Sequence, residues 1–224
     1  MKAMILAAGR GERLRPLTDH TPKPLLPIAG RPMLEYIIEA LIKADFNDLV
    51  INLSHLGQQI QDEIGNGARF NATIQYSPEG DTGLETAGGI MHALPLLGTE
   101  PFLVVNGDIA TNFPFSSLKN QVIDLAYLVL VKNPEHHPQG DFGLKNTIIQ
   151  NNADIKYTFS GIGIYHPGLF ANTPPGKTRL APLLRQAVEN NRITGELYTG
   201  FWADIGTQER LEEIDCYYQN MRKK

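Results

Sequence analysis

Between Gly9 and Arg31 the chain sets five basic side chains (Arg10, Arg13, Arg15, Lys23, Arg31) against two acids (Glu12, Asp19), a local net of +3 in a chain of net charge −4. The order is Gly9-x-Gly11-x-Arg13-x-x-Pro16-x-Thr18, then Pro22-Lys23-Pro24-x-x-Pro27. The two glycines let the backbone approach a phosphate chain and offer it N–H groups. Arg13 supplies a planar fork for phosphate oxygens, and Lys23 a compact point charge. Pro22 and Pro24 restrict the backbone on either side of that ammonium, which lowers the entropy lost in holding it still. Such a loop at the carboxyl end of a first strand is built to hold a polyanion. It is not a dinucleotide fingerprint, because Leu14 stands where the third glycine belongs, and the Walker pattern is absent.

Two aspartates are delivered at the ends of apolar runs. Phe102 to Val105 leads into Asn106-Gly107-Asp108, and Phe201-Trp202-Ala203 leads into Asp204-Ile205-Gly206-Thr207. A carboxylate at the carboxyl end of a buried parallel strand lies at the sheet edge where ligands bind. In either place an aspartate also serves as an ordinary turn former or helix cap. Together with a loop of the triphosphate-binding kind, Asp108 and Asp204 point to one Mg²⁺, an ion commonly held by one or two carboxylates plus substrate phosphates. Thr207 is the expected N-cap of a last helix, with Arg210 where a capping-box acid would sit. From Tyr76 to Gly89 the chain is rich in glycine, with Glu79, Asp81, Thr82 and Glu85 among them; it reads as a loop able to face a flat base edge, or as a plain loop. His136-His137 has no partner at metal-ligand spacing, and no catalytic role is expected of either. No nucleophile elbow or Cys/His pair argues for covalent catalysis.

These residues need a scaffold that brings strand ends together. Strand-like runs at Met4–Leu6, Leu49–Asn52, Thr73–Tyr76, Phe102–Val105 and Leu125–Val131 alternate with helical stretches at about Met33–Ala44, Leu56–Ile64 and Thr86–Leu94. This rhythm predicts an α/β fold with a doubly wound, mostly parallel, Rossmann-like sheet. Phe142–Leu144, Ile148-Ile149 and Phe159–Tyr165 read as strands of a smaller mixed region. Arg179–Glu189 and Gln208–Tyr218 read as helices. Asn133 to Gly140 is the most loop-like stretch, and loop statistics place it near the ligand. With no repeat or linker in 224 residues, one continuous domain is expected.

Composition narrows the class. The acidic balance argues against a nucleic-acid partner. The lone cysteine, Cys216, excludes an internal disulfide and a thiolate zinc cluster, and fits a cytoplasmic protein. No apolar run approaches a membrane span.

The basic loop, Asn106-Gly107-Asp108 and Trp202-Ala203-Asp204-Ile205-Gly206-Thr207 together resemble the sugar-phosphate nucleotidyltransferases, and the resemblance covers nearly the whole chain. It implies that Arg13 and Lys23 are catalytic and act at the nucleotide phosphates, alongside Gly11 and Glu12. It implies that Asp108 and Asp204 hold Mg²⁺ and that the loop with Glu79, Gly80 and Glu85 contacts the base. Three further stretches carry a narrower likeness: Ser77-Pro78-Glu79-Gly80 with Leu84-Glu85-Thr86, Asn133 to Phe142, and Leu180 to Ala187. They imply sugar-phosphate contacts at Asn106 and Asp141, with UTP and N-acetylmuramic acid α-1-phosphate as substrates. The alternatives are GTP with mannose 1-phosphate, dTTP or UTP with glucose 1-phosphate, or a non-catalytic nucleotide-sugar sensor. A monomer or small homo-oligomer is expected.

Overall fold

The computed structural model describes residues 1–80 and 83–222. In chain order its elements are β1 (Ala3–Leu6), β2 (Pro27–Ile28), β3 (Arg31–Pro32), α1 (Met33–Lys43), β4 (Asp48–Leu53), α2 (Gly57–Ile64), β5 (Thr73–Pro78), α3 (Glu85–Leu97), β6 (Phe102–Asn106) and β7 (Ile109–Thr111). They continue with β8 (Ala126–Val131), β9 (Gly143–Lys145), β10 (Ile148–Gln150), β11 (Thr158–Tyr165), α4 (Leu180–Glu189), β12 (Ile193–Tyr198), β13 (Trp202–Asp204) and α5 (Gln208–Met221).

Nine strands form one sheet in the order β5-β4-β1-β6-β11-β8-β12-β10-β9. The period of two along a strand divides the apolar residues between its faces. Ala3, Ile5, Leu49, Ile51, Leu103 and Val105 pack beneath α1 and α2. Met4, Val50, Phe102 and Val104 pack beneath α3 and α4. The strands are apolar on both sides because helices cover both sides. A third cluster, made by Leu14, Ile28, Met33, Ile205, Leu211 and Ile214, docks α5 and β13 against the basic loop.

The winding creates the crevice. From β1 the chain crosses to β4 and then β5, and α3 returns it to β6 on the other side of β1. The loops after β1 and β6 therefore leave in different directions, and a ligand cleft opens at such a switch point. Register aligns Leu6 with Asn52 on one side and Asn106 on the other.

The second half departs from the sequence expectation. Strand β11 is not set apart in a smaller mixed region; it runs antiparallel through the middle of the sheet, between β6 and β8. Strand β12 was not anticipated at all, because Gly195 and Glu196 interrupt its apolar pattern. It pairs in parallel with β8, and Gly195 is needed there: a Cβ would lie 2.3 Å from the Leu128 carbonyl oxygen. Among the described residues, no helix is long and apolar enough to cross a membrane.

Strand β12 also encloses Glu196 Oε1 without a hydrogen-bond partner among the described residues. Burial raises this carboxyl above its ordinary value. The folded chain thus holds the proton more tightly than the unfolded chain, and stability falls as pH rises from the unfolded pKa through the folded one. Glu196→Gln is expected to raise the urea midpoint at neutral pH and to flatten the stability profile across that window. A lowered midpoint would show instead that the ionised carboxylate is held by a stabilising contact.

Candidate active site

Strand β1 ends in Leu6, and Gly11 turns the following chain in the left-handed region at φ 70°. A Cβ at Gly11 would meet Thr18 Cγ2 at 2.9 Å and Lys23 Cβ at 3.1 Å. Thr18 Oγ1 donates to the Gly11 carbonyl at 2.9 Å, which fixes the turn. Glu12–Leu14 then forms a single 3-10 turn, whose first N–H groups have no partner within the turn. Lys23, flanked by Pro22 and Pro24, opens a further 3-10 turn over Lys23–Leu25, and its side chain is only 10% exposed.

Nζ of Lys23 donates to Asp108 Oδ2 at 2.5 Å. Asp108 follows β6, and its carbonyl accepts from Ile205 N–H at 2.8 Å, while Asp204 pairs with Ile109 in the small β7–β13 sheet. Two aspartates nearly a hundred residues apart are thus presented side by side. Arg210 Nη1 lies 2.6 Å from Asp204 Oδ2 in an ion pair. His136 Nε2 lies 3.0 Å from Asp204 Oδ1 and 2.9 Å from Arg210 Nη1. One ring nitrogen cannot donate to the first and accept from the second, and Asp204 Oδ1 is left buried without a hydrogen-bond partner among the described residues. Gly206 lets the guanidinium groups close in: a Cβ there would lie 2.5 Å from Arg210 Nη2 and 2.9 Å from Arg13 Nη2.

The cleft has a volume of about 1080 Å³. Gly11, Glu12, Arg13, Lys23, Glu79, Glu85, Asn106 and Asp108 line it, as do Arg10 and Lys177. Two of the five basic residues of the loop are directed elsewhere. Arg15 pairs with Asp19 at 2.6 Å, and Arg31 binds Glu35 and Glu39. Gly80 is tied by its carbonyl to Ser54 Oγ at 2.8 Å. Asp81 and Thr82 lie outside the described residues.

Asn106 rests against a bulge of β11. Gly161 there has φ 78°, and a Cβ would meet Asn106 Nδ2 at 2.5 Å. Asp141 is not among the residues lining the cleft. Its Oδ2 accepts from Phe159 N–H at 2.8 Å, at the start of the same bulge, and its Oδ1 lies 3.1 Å from His137 Nε2.

Three participants escaped the sequence reading. Asn52 carried a usable signal, since it ends an apolar strand as Asn106 does. Arg210 carried another, a cation in the first turn of a helix where an acid is favoured. His136 had none, because only the fold brings it to Asp204.

A nucleotidyl transferase family profile matches residues 2–221. The chain belongs to the nucleotidyl transferase family. It is 50% identical to the N-acetylmuramate alpha-1-phosphate uridylyltransferase of Neisseria meningitidis serogroup B, over 96% of this chain and 97% of that one. A protein of the same description from Caulobacter vibrioides is 29% identical over 91% of each chain. Among solved structures, the inositol-1-phosphate CTP transferase of T. maritima superposes with a TM-score of 0.76 at 18% identity, covering 96% of this chain and 94% of that one. The likeness to that structure is one of fold.

This nucleotidyltransferase should be sensitive at Gly206. The atoms a Cβ would strike are the ends of flexible side chains, so Gly206→Ala is expected to fold and to displace Arg13 and Arg210. The KM for the nucleotide should rise several-fold in steady-state assays with little change in the thermal midpoint. An unchanged KM would remove Gly206 and its two arginines from nucleotide binding.

Proposed function

We propose that this nucleotidyltransferase transfers the uridylyl group of UTP to N-acetylmuramic acid α-1-phosphate and releases pyrophosphate. The convergence of Lys23, Asp108 and Arg13 on the switch-point cleft, with Arg210 and Asp204 behind its Gly206 wall, supports the reaction class. The uridylyl group and the sugar are supported by the similarity to the Neisseria relative along nearly the whole chain. The lone cysteine suits a cytoplasmic setting.

A phosphate oxygen of the sugar 1-phosphate attacks the α-phosphorus of UTP in line. One P–O bond forms, the bond to the β-phosphate oxygen breaks, and pyrophosphate leaves. The attacking oxygen is already anionic, so no strong general base is needed, and catalysis comes from alignment and charge neutralisation. Lys23 stabilises the charge at the α-phosphoryl group. Arg13 and the N–H groups after Gly11 orient the β- and γ-phosphates. The walls of the loop with Glu79, Gly80 and Glu85 face the base, Asn106 serves the sugar phosphate, and Asp141 supports it from outside the cleft by holding the start of the β11 bulge.

Asp108 and Asp204 fit a magnesium ion. Both are hard oxygen donors at adjoining strand ends, and Asp204 Oδ1 is an enclosed acceptor without a hydrogen-bond partner among the described residues. Among the described residues no three His, Cys, Asp or Glu side chains gather to hold a metal, and two carboxylates are a common protein share for Mg²⁺, phosphates and water supplying the rest. Bound there, the ion supplies positive charge to the phosphates of both substrates.

Pyrophosphate release measured across a grid of nucleoside triphosphates and sugar 1-phosphates should peak with UTP and N-acetylmuramic acid α-1-phosphate. A higher kcat/KM for GTP with mannose 1-phosphate would refute the substrate assignment and leave the class standing; no turnover with any pair would favour a sensor. Asp108→Asn and Asp204→Asn should each lower turnover by about 10²-fold or more, and full activity in excess chelator would sink the metal assignment.

Lys23→Ala should lower kcat by about 10²–10³-fold, roughly 2.7–4 kcal/mol, as loss of one transition-state donor does. Asp108 keeps about a third of its side chain exposed, so its charge can be resolvated and the variant should fold, as circular dichroism would check. A transition-state role requires kcat and kcat/KM to fall together. A rise in KM for UTP alone would make Lys23 a ground-state binding residue.

A further inference from the structure

Asn52 closes β4 and is 3% exposed, yet it has no part in the reaction as described. Both ends of its amide are engaged. Oδ1 accepts from Ala7 N–H at 2.7 Å, and Nδ2 donates to Glu79 Oε1 at 2.6 Å. The other oxygen of Glu79 accepts from Leu84 N–H at 2.6 Å. A backbone N–H can only donate and a carboxylate can only accept, so chemistry fixes which way the Asn52 amide points.

Three hydrogen bonds thus cross the floor of the cleft, and all four residues line it. Ala7 begins the phosphate loop. Leu84 is the N-cap residue of α3 and ends the loop that faces the base. The helix itself makes room for this chain of bonds: a Cβ on Gly89 would stand 2.2 Å from Glu79 Oε1 and 3.0 Å from Asn52 Nδ2. Each oxygen of Glu79 thus takes one hydrogen bond from within the protein, and the pair of bonds holds the base loop in place.

We propose that Asn52 is a positioning residue that, through Glu79, sets the distance between the phosphate loop and the base loop. Its work is to hold a nucleotide at both ends at once. It touches neither the phosphates nor the base. The proposal rests on the uridylyl-transfer reading only for the choice of UTP as probe.

Exchanging the two polar groups tests it. Asn52→Asp sets two carboxylates facing each other, and Glu79→Gln leaves one donor facing another. The double variant Asn52→Asp/Glu79→Gln completes the chain again with the charge moved. The carboxylate introduced on β4 would accept from Ala7 N–H and from the new amide, whose oxygen would accept from Leu84 N–H. Calorimetric titration with UTP, the kcat and KM for UTP, and the ratio of kcat/KM for UTP over CTP should be measured on all four proteins. Each single variant is expected to weaken UTP binding by about tenfold or more, the scale of one hydrogen bond to a charged group. KM should move more than kcat, and the UTP preference should shrink. The double variant should recover most of the loss. Effects that multiply in the double variant, or wild-type UTP affinity in both singles, would overturn the proposal.

Should a single variant fail to fold, Gly89→Ala displaces Glu79 and leaves every donor in place. It is expected to raise the Kd for UTP, and wild-type affinity there would count against the proposal. If the wild-type protein prefers another triphosphate, the substrate reading fails, and the same variants titrated with that triphosphate still decide the role of Asn52.

Discussion

A buried ammonium must have an acceptor, and the site is arranged around that requirement. Lys23 is nearly enclosed, and an unpaired charge there would cost several kcal/mol. Asp108 supplies the acceptor from across the cleft, at the end of a strand that the winding has carried to the far side of β1. The ion pair therefore does more than neutralise. It fastens the loop after β1 to the loop after β6 at the place where the two diverge, so the crevice has one fixed rim. Pro22 and Pro24 stiffen the lysine's own turn, and Thr18 packs against Gly11 behind it. Arg210 and Asp204 repeat the arrangement on the adjoining strand.

The pairing also sets what the cleft can bind. An anion entering it meets Lys23 already holding a carboxylate, and there it must offer more than Asp108 does. A single small anion gains little. A polyphosphate reaches Lys23, Arg13 and the open N–H groups of the turn together, so one binding event recovers several charge-assisted hydrogen bonds. Selectivity for a long anion then follows from the spacing of the cations.

The first half of the fold was legible because it is built from local signals. The apolar runs Leu49–Ile51 and Phe102–Val105 marked β4 and β6, and helical periodicity marked α1 and α2. The carboxyl ends of β1 and β6 carried the phosphate loop and Asp108, which line the cleft, and that of β13 carried Asp204, which adjoins Asp108 through the β7–β13 pairing. The second half was less legible because its signals are tertiary. Strand β12 contains a glycine that only the nearness of Leu128 explains, and a glutamate that only its neighbours bury. The bulge of β11 at Gly161 exists to seat Asn106, a contact between residues more than fifty positions apart. His136 reaches Asp204 on no local cue.

The basic loop shows how charge in a sequence should be counted. Five cations against two acids suggested a loop directed as a whole toward a ligand, but only Arg10, Arg13 and Lys23 face the cleft. The two that do not, Arg15 and Arg31, each have an acid four positions on, Asp19 and Glu35, and each is paired with it. Four positions after Arg10, Arg13 and Lys23 stand Leu14, Leu17 and Pro27. A cation with an acid one turn downstream is neutralised by its own segment. A cation followed by apolar residues or proline must find its partner across the fold or in a ligand. Subtracting the local pairs from the sequence leaves the residues that build the site, and the net charge of the segment does not.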